Sequence, residues 1–236
     1  YQQVLQDKIV IGYDARLTSP AIADLIEETF IKNNFQVENI GCCSTPQLYF
    51  AARQKAGNGI MVTASHNPKS DNGIKWILKG EPPSPEVIQE VGLFAQNIPI
   101  KVDYQIRDET ITHQVIPHYC LQYQQSLLDD IQLPRPLKVV LDGLHGSAGR
   151  CAKVVLEKLG CDVIALRCDA NGHFPDHAPD PSLAIHLRGL QRQVLEHQAD
   201  LGIALDGDGD RAGARGGVGV GVVVVDAVQR GLVLRP

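Results

Sequence analysis

Segments of β-branched, strand-like sequence and segments of helical period take turns along this chain. That alternation constrains its fold more than any other feature. KIVIGY (8–13) reads as a strand. SPAIADLIEETFIKNNF (19–35) follows with apolar residues at helical spacing, Ser19 as N-cap and Pro20 in the first turn. QVENIG (36–41) is a short strand, and TPQLYFAARQKAG (45–57) is a helix opened by Thr45 and Pro46 and stopped by Gly57. GIMVTA (59–64) and GIKWILKG (73–80) read as strands, and SPEVIQEVGLFAQ (84–96) as a helix behind Ser84 and Pro85. The rhythm breaks over 105–135 and then resumes. PHYCLQYQQSLLDDI (117–131) is helical, and KVVLDG (138–143) is a strand after a Pro-marked linker. SAGRCAKVVLEKLG (147–160) is a helix capped by Ser147, CDVIALR (161–167) a strand, PSLAIHLRGLQRQVLEHQ (181–198) a helix and ADLGIALD (199–206) a strand. Such alternation predicts largely parallel sheets with helices packed on them, here as two units in tandem.

A length of 236 residues accommodates two ordinary domains. The net charge of −5 offers no basic footprint, which argues against a nucleic-acid partner. No apolar run approaches the roughly 20 residues needed to cross a bilayer, and no signal-peptide pattern opens the chain. The expected setting is therefore cytoplasmic. None of the six cysteines falls in a CxxC pair, and most sit in apolar segments. There cysteine acts as a small hydrophobe, so they read as structural thiols of a reducing compartment, with zinc or disulfides as the alternative. The start at Tyr1, not Met, suggests a fragment. The last 25 residues use few residue types, with Gly and Val supplying about half. A glycine-rich hairpin is one reading of this tail; a stretch of non-native origin is the favoured one.

In open α/β sheets ligands bind beyond the carboxyl ends of strands, and two polar clusters lie at such ends. In DGDGDR, Asp206, Asp208 and Asp210 alternate with glycines that let the chain bend until the carboxylates converge. Three carboxylates this close repel unless a cation sits among them. All-oxygen ligands favour Mg²⁺, Ca²⁺ or Mn²⁺ over zinc. An EF-hand is excluded, because its Gly and Glu positions hold Arg211 and Gly217. Three carboxylates leave a six-coordinate ion unfilled, which implies an external oxygen from phosphate or water, and Arg211 beside them suits a phosphate contact.

In TASHNP (63–68), Ser65 follows a buried strand on a turn. Adjacent strand residues point to opposite faces and there is no GxSxG elbow, so Ser65 and His66 do not read as a hydrolase pair. A phosphorylated Ser65 fits better, since its phosphoryl oxygens would complete the coordination of an ion held by the three aspartates. Lys75, in NGIKW, is placed for proton transfer or for neutralising phosphate charge.

GIMVTASHNPKSDNGIKW (59–76) and LGIALDGDGDR (201–211) resemble the phosphoserine and metal-binding motifs of the α-D-phosphohexomutase superfamily, most strongly its bacterial phosphomannomutase/phosphoglucomutase group. GYDARLTSP, STPQLYFAA and NGHFPDHAPDPS fit the same pattern. The resemblance implies an α/β fold of two tandem α/β/α three-layer domains with mainly parallel mixed sheets, the first two of a four-domain enzyme. The expected boundaries are 1–112 for the phosphoserine-loop domain, with its N-terminus truncated, 113–211 for the metal-loop domain and 212–236 for the atypical tail. It implies interconversion of hexose 1-phosphate and hexose 6-phosphate, mannose or glucose, with Mg²⁺ and a hexose 1,6-bisphosphate intermediate. Ser65, His66 and Lys75 would be catalytic; Arg16, Asn67 and Arg211 would contact substrate or phosphate; and Ser65, Asp206, Asp208 and Asp210 would hold the metal. The partner implied is a phosphosugar, with neither nucleic acid nor membrane. Phosphoglucosamine mutase is the nearest alternative within the family. Outside it stand a fragment that binds metal and phosphate without turnover and a phosphatase with Asp206 as nucleophile.

Overall fold

The computed structural model describes residues 8–55, 57–98, 117–216 and 223–226. The first unit comprises β1 (Lys8–Tyr13), α1 (Ser19–Lys32), β2 (Gln36–Cys42), α2 (Thr45–Arg53), β3 (Gly59–Val62), β4 (Ile74–Ile77) and α3 (Pro85–Gln96). Its sheet has the order β2-β1-β3-β4, parallel except where β4 runs against β3. Strand alternation puts β1 side chains on two faces. Ile9, Ile11 and Tyr13 join Ile60, Val62 and residues of α1, including Ala23, Ile26 and Phe30. Val10 and Met61 face the other way, against Leu48, Tyr49, Ala51 and Ala52 of α2. The result is the sheet with packed helices that the alternation predicted, in the three-layer arrangement that the resemblance implied.

The second unit comprises α4 (Pro117–Asp130), β5 (Lys138–Asp142), α5 (Gly149–Lys158), β6 (Asp162–Leu166), α6 (Arg188–Glu196), β7 (Leu201–Leu205), β8 (Arg211–Gly216) and β9 (Val223–Asp226). Its sheet has the order β6-β5-β7-β8-β9, with β5, β6 and β7 parallel and the last two strands antiparallel. Leu190 and Val194 of α6 pack with Val140, Leu144, Leu187 and Ala204. The α4 helix faces both units: it packs on α2 and α5, and Tyr119 lies in the core of the first unit. The boundary expected between residues 112 and 113 lies outside the described residues. Among the described residues no helix is long and apolar enough to cross a membrane.

Three local expectations need correcting. The helix predicted over 181–198 is confined to α6. Before it, Asp180 Oδ1 accepts from the Ser182 amide and hydroxyl, a side-chain turn that competes with helix, and Leu183 and Ile185 stay exposed with no face to bury. Arg211–Gly216, absent from the strand predictions, forms β8. Its Arg, Ala and Gly residues have little β-propensity, yet they pair in register with β7 from Ala212 to Gly216. Residues 212–216, set apart above with the tail, thus continue the sheet, and Val223–Asp226 add β9. The rest of the tail lies outside the described residues. Finally, Ser84 caps α3 as expected, but Ser19, Thr45 and Ser147 do not cap α1, α2 and α5. Their hydroxyls go elsewhere.

Candidate functional site

The first half of the site is the loop that follows β3. Ser65 holds φ at 52°, a left-handed conformation that costs a serine roughly 1 kcal/mol. The surrounding bonds keep it there. The Ser65 amide donates to Thr63 Oγ1 at 2.8 Å, and the Thr63 hydroxyl donates to Asp14 Oδ2 at 2.8 Å. Asp14 Oδ1 also accepts from the Ser19 hydroxyl at 2.7 Å and from the Arg16 amide at 3.0 Å. Burial pushes the Asp14 carboxyl up, against the hydrogen bonds from Ser19, Arg16 and Thr63 and the charge of Arg16.

Arg16 lies under this loop, 1% exposed. Its Nε donates to Asp14 Oδ2 at 3.0 Å; its two terminal nitrogens donate to the carbonyls of Pro68, Asp71, Ser65 and Asn67. A guanidinium has five N–H donors, and all five are engaged. The phosphate contact expected of Arg16 therefore does not fit this geometry: Arg16 holds the serine loop, and no donor is left for a ligand.

The second half is the turn from β7 to β8. Asp206 shapes it, accepting the Arg211 amide on Oδ1 at 3.0 Å and the Gly209 amide on its carbonyl at 3.1 Å. Gly209 takes φ of 70°. Gly207 is needed for a different reason: a Cβ there would lie 2.4 Å from the Ser65 carbonyl oxygen. The two loops, 141 residues apart in sequence, are in direct contact.

That contact assembles one cluster. The Ser65 hydroxyl donates to Asp206 Oδ2 at 2.5 Å and accepts from Arg211 at 3.0 Å. The same Arg211 nitrogen bonds His66 Nδ1. Arginine does not give up its proton, so that Nδ1 is an acceptor and the neutral ring carries its proton on Nε2. Lys75 Nζ reaches Asp208 at 2.7 Å and Asp210 at 2.6 Å. The Thr45 hydroxyl, expected to cap α2, donates to Asp208 Oδ2 at 2.5 Å, while Ser44 takes the capping role and accepts from the Gln47 amide. Ser147 likewise faces the turn and donates to the Gly207 carbonyl at 3.3 Å. Asn67 sits exposed on the rim of the serine loop.

The three aspartates are buried, and one oxygen from each lies within 4.8 Å of the others. Burial, then the charges of Asp208 and Asp210, push the Asp206 carboxyl well up. Burial and the Asp208 charge raise Asp210 as well. Burial acts the same way on Asp208, but Lys75 and Thr45 outweigh it and hold that carboxyl down. Burial would lower Lys75; the two carboxylates win and keep it protonated. Yet one ammonium cannot satisfy the cluster. The Oδ1 atoms of Asp208 and Asp210 are buried with no hydrogen-bond partner. Orphaned buried oxygens of this kind call for a ligand, and an oxygen-only set fits a hard divalent cation. The acidic triad can hold a metal ion.

Ser65, His66, Lys75, Arg211 and the three aspartates, named from the sequence, therefore meet in one place. Thr45, Thr63, Asp14 and Ser147 were missed as site residues. Thr45 and Ser147 carried a sequence signal that pointed elsewhere, to helix caps; the Thr63–Asp14 bond spans 49 residues and left none.

The family model described as phosphoglucomutase/phosphomannomutase, alpha/beta/alpha domain I, matches residues 2–98, and the one for alpha/beta/alpha domain II matches residues 119–217. A phosphomannomutase/phosphoglucomutase of Pseudomonas aeruginosa is 36% identical over 206 residues, 87% of this chain and 43% of that protein. A phosphoglucomutase of Neisseria meningitidis serogroup A is 36% identical over 209 residues, 87% of this chain and 44% of that protein. A crystal structure of a phosphoglucomutase/phosphomannomutase family protein from Burkholderia thailandensis superposes with a TM-score of 0.79 at 30% identity, over 94% of this chain and 49% of that one. The chain thus spans less than half the length of these relatives.

Proposed function

This chain belongs to the phosphoglucomutase/phosphomannomutase family, of which it carries α/β/α domains I and II, and on that premise we propose that its site passes a phosphoryl group between Ser65 and a hydroxyl of a hexose phosphate. The observation that carries the reading is the 2.5 Å bond from the Ser65 hydroxyl to Asp206 across the two units, beside the orphaned oxygens of Asp208 and Asp210. The names of the relatives favour glucose and mannose phosphates over glucosamine phosphate.

Asp206, Asp208 and Asp210, joined by an oxygen of phosphorylated Ser65, would hold Mg²⁺. That ion would neutralise charge on the phosphoryl oxygens. The chain's own residues do the remaining work. In the forward half-reaction the bond from Ser65 Oγ to phosphorus breaks, a sugar oxygen bonds to phosphorus, and the sugar's proton is lost as Ser65 regains one. The resulting bisphosphate, turned end for end, returns its other phosphoryl group to Ser65. Such transfer depends on positioning and charge neutralisation. Arg211 supplies a fixed positive charge within hydrogen-bond reach of Oγ. Lys75, kept protonated by its carboxylates, is a second positive charge and a hydrogen-bond donor. His66, with Nδ1 taken by Arg211, orients that arginine and offers Nε2–H to a ligand. Asn67, exposed beside them, can add a phosphate contact.

The test isolates one half-reaction. The chain is incubated with ³²P-labelled glucose 1,6-bisphosphate and Mg²⁺, and phosphopeptides are mapped. We expect label on Ser65, and none after Ser65→Ala or after chelation of the metal. Label on Asp206 would replace this reading with the aspartyl-phosphatase chemistry.

A further inference from the structure

Between β6 and α6 the chain crosses both halves of the site as a strap without helix or strand. Gly172 bridges Arg16, and the buried ring of Phe174 lies 5.6 Å from the guanidinium that holds the serine loop. Further on, Pro179 is buried against the aspartate turn, where a Cβ on Gly207 would meet its Cγ at 2.9 Å. Between these two contacts sits His177. Its ring stacks on that of His186, with centroids 3.8 Å apart and planes 7° from parallel. We propose that the His177–His186 stack is an acid-sensitive latch: on taking up protons it parts, and strap 172–181 lifts from the serine loop and the aspartate turn.

The hydrogen bonds fix where each ring carries its proton. His177 Nε2 lies 3.0 Å from a terminal nitrogen of Arg167, which can only donate. Its Nδ1 lies 2.7 Å from the Ala178 carbonyl, which can only accept. The ring is therefore neutral, with its proton on Nδ1. His186 Nδ1 likewise donates to the Asp180 carbonyl at 2.8 Å. A second proton on His177 has one place to go, Nε2. There it would break the bond from Arg167 and set two N–H groups and two like charges against each other. Arg167 is not free to swing aside, because its Nε and other terminal nitrogen donate to both oxygens of Asp142, fully buried at the end of β5. Asp176 offers some relief, but its carboxylate is exposed and is shared with Arg167 at 3.2 Å and with His145, of the loop after β5, at 3.7 Å. A charged His186 would face a charged His177 ring to ring.

Burial, then the charges of His186 and Arg167, push His177 down, against the Ala178 carbonyl and Asp176. A histidine lowered in this way stabilises the closed strap fully above its ordinary value of 6.5. That stabilisation is lost as pH falls through the lowered value. The strap is also strained: Arg167 and Phe174 hold φ at 47° and 41°, conformations that such residues keep only where their surroundings impose them. Parting of the latch removes that constraint.

The chain is followed by hydrogen exchange near pH 7 and near pH 5, with labelling times matched for the intrinsic effect of pH. We expect peptides covering 171–182 to exchange roughly 5- to 50-fold faster at the lower pH, within the about 100-fold that one proton can supply over two pH units. Peptides from β1 and β5 should keep their rates. His177→Gln offers an acceptor and a donor but takes no proton, and should hold the strap's rates equal at both pH values. The aspartates of the site are the same in both chains, so the difference between the chains reads the histidine. Wild-type rates that match at both pH values, or an acceleration that persists undiminished in His177→Gln, would overturn the proposal. Should that variant not fold, ring titration of the wild-type chain by NMR decides: His177 titrates below 6.5 and shifts with His186, whereas two independent rings with ordinary midpoints would overturn the latch.

Discussion

Arg16 shows how a single residue can be named correctly and assigned the wrong task. Its motif, YDARLTSP, marked it as part of the site, and a free guanidinium beside a phosphoserine loop suggests phosphate. The fold gives it five neighbours within the protein instead. A buried arginine so engaged fixes the backbone of residues 65–71 and, through Asp14, the Thr63 hydroxyl that receives the Ser65 amide. Replacing it with methionine keeps the volume and strips every side-chain bond, leaving Asp14 without its buried counter-charge. We expect Arg16→Met to lose about 3–5 kcal/mol in urea denaturation, with Asp14→Asn in the same chain recovering part of it. A loss under about 1 kcal/mol, within the range of ordinary surface changes, would mean the loop is held otherwise. The chemistry-bearing residues were legible because paired motifs constrain one another. Three clustered aspartates call for a cation, that cation calls for a further oxygen, and a phosphorylated Ser65 would supply it. What could not be read was which donors Arg16 would have left, because those partners are carbonyls, which no side chain announces.

At the level of elements the misreadings share a cause. A Ser or Thr followed by Pro is good evidence for a helix start, and each helix so predicted does begin there. The hydroxyl, however, was free to serve something else. At α2 the task divides between neighbours, Ser44 capping the helix and Thr45 reaching Asp208. This separation is testable. Ser44→Ala should cost about 1 kcal/mol of stability, as a lost cap does, and leave Mg²⁺ affinity unchanged. Thr45→Val should weaken Mg²⁺ binding by about 10-fold, the usual effect of removing a group that orients a ligand. Calorimetric titration with Mg²⁺ distinguishes them; equal affinities in the two variants would refute the division. The missed β8 strand has a related lesson. Alanine and glycine give no strand signal, and tertiary pairing with β7 decides the matter. Small residues also suit the place: a Cβ on Gly213 would come within 3.1 Å of the Pro181 carbonyl.

Across the whole molecule the sequence predicted two α/β units joined where the Ser65 loop and the aspartate turn converge, and it could not say what builds the seam. They meet through backbone. Gly207 lies against the Ser65 carbonyl, and Gly172 bridges Arg16 so closely that a Cβ would fall 2.2 Å from the Ala15 oxygen. The Thr45 amide donates to the Asp208 carbonyl at 2.8 Å, and Phe174 from the second unit stacks 5.6 Å from the Arg16 guanidinium. These seams turn two ordinary loops into one site. The account therefore rests on a single ion shared by the two units, and paramagnetic broadening tests it most directly. With Ser65 phosphorylated by a hexose bisphosphate, the ³¹P resonance of the phosphoserine is recorded while Mn²⁺ is added in place of Mg²⁺. We predict severe broadening at substoichiometric Mn²⁺, abolished by Asp208→Asn and competed away by Mg²⁺. A phosphoserine line that stays sharp, or that broadens equally with Asp208 removed, would contradict the account.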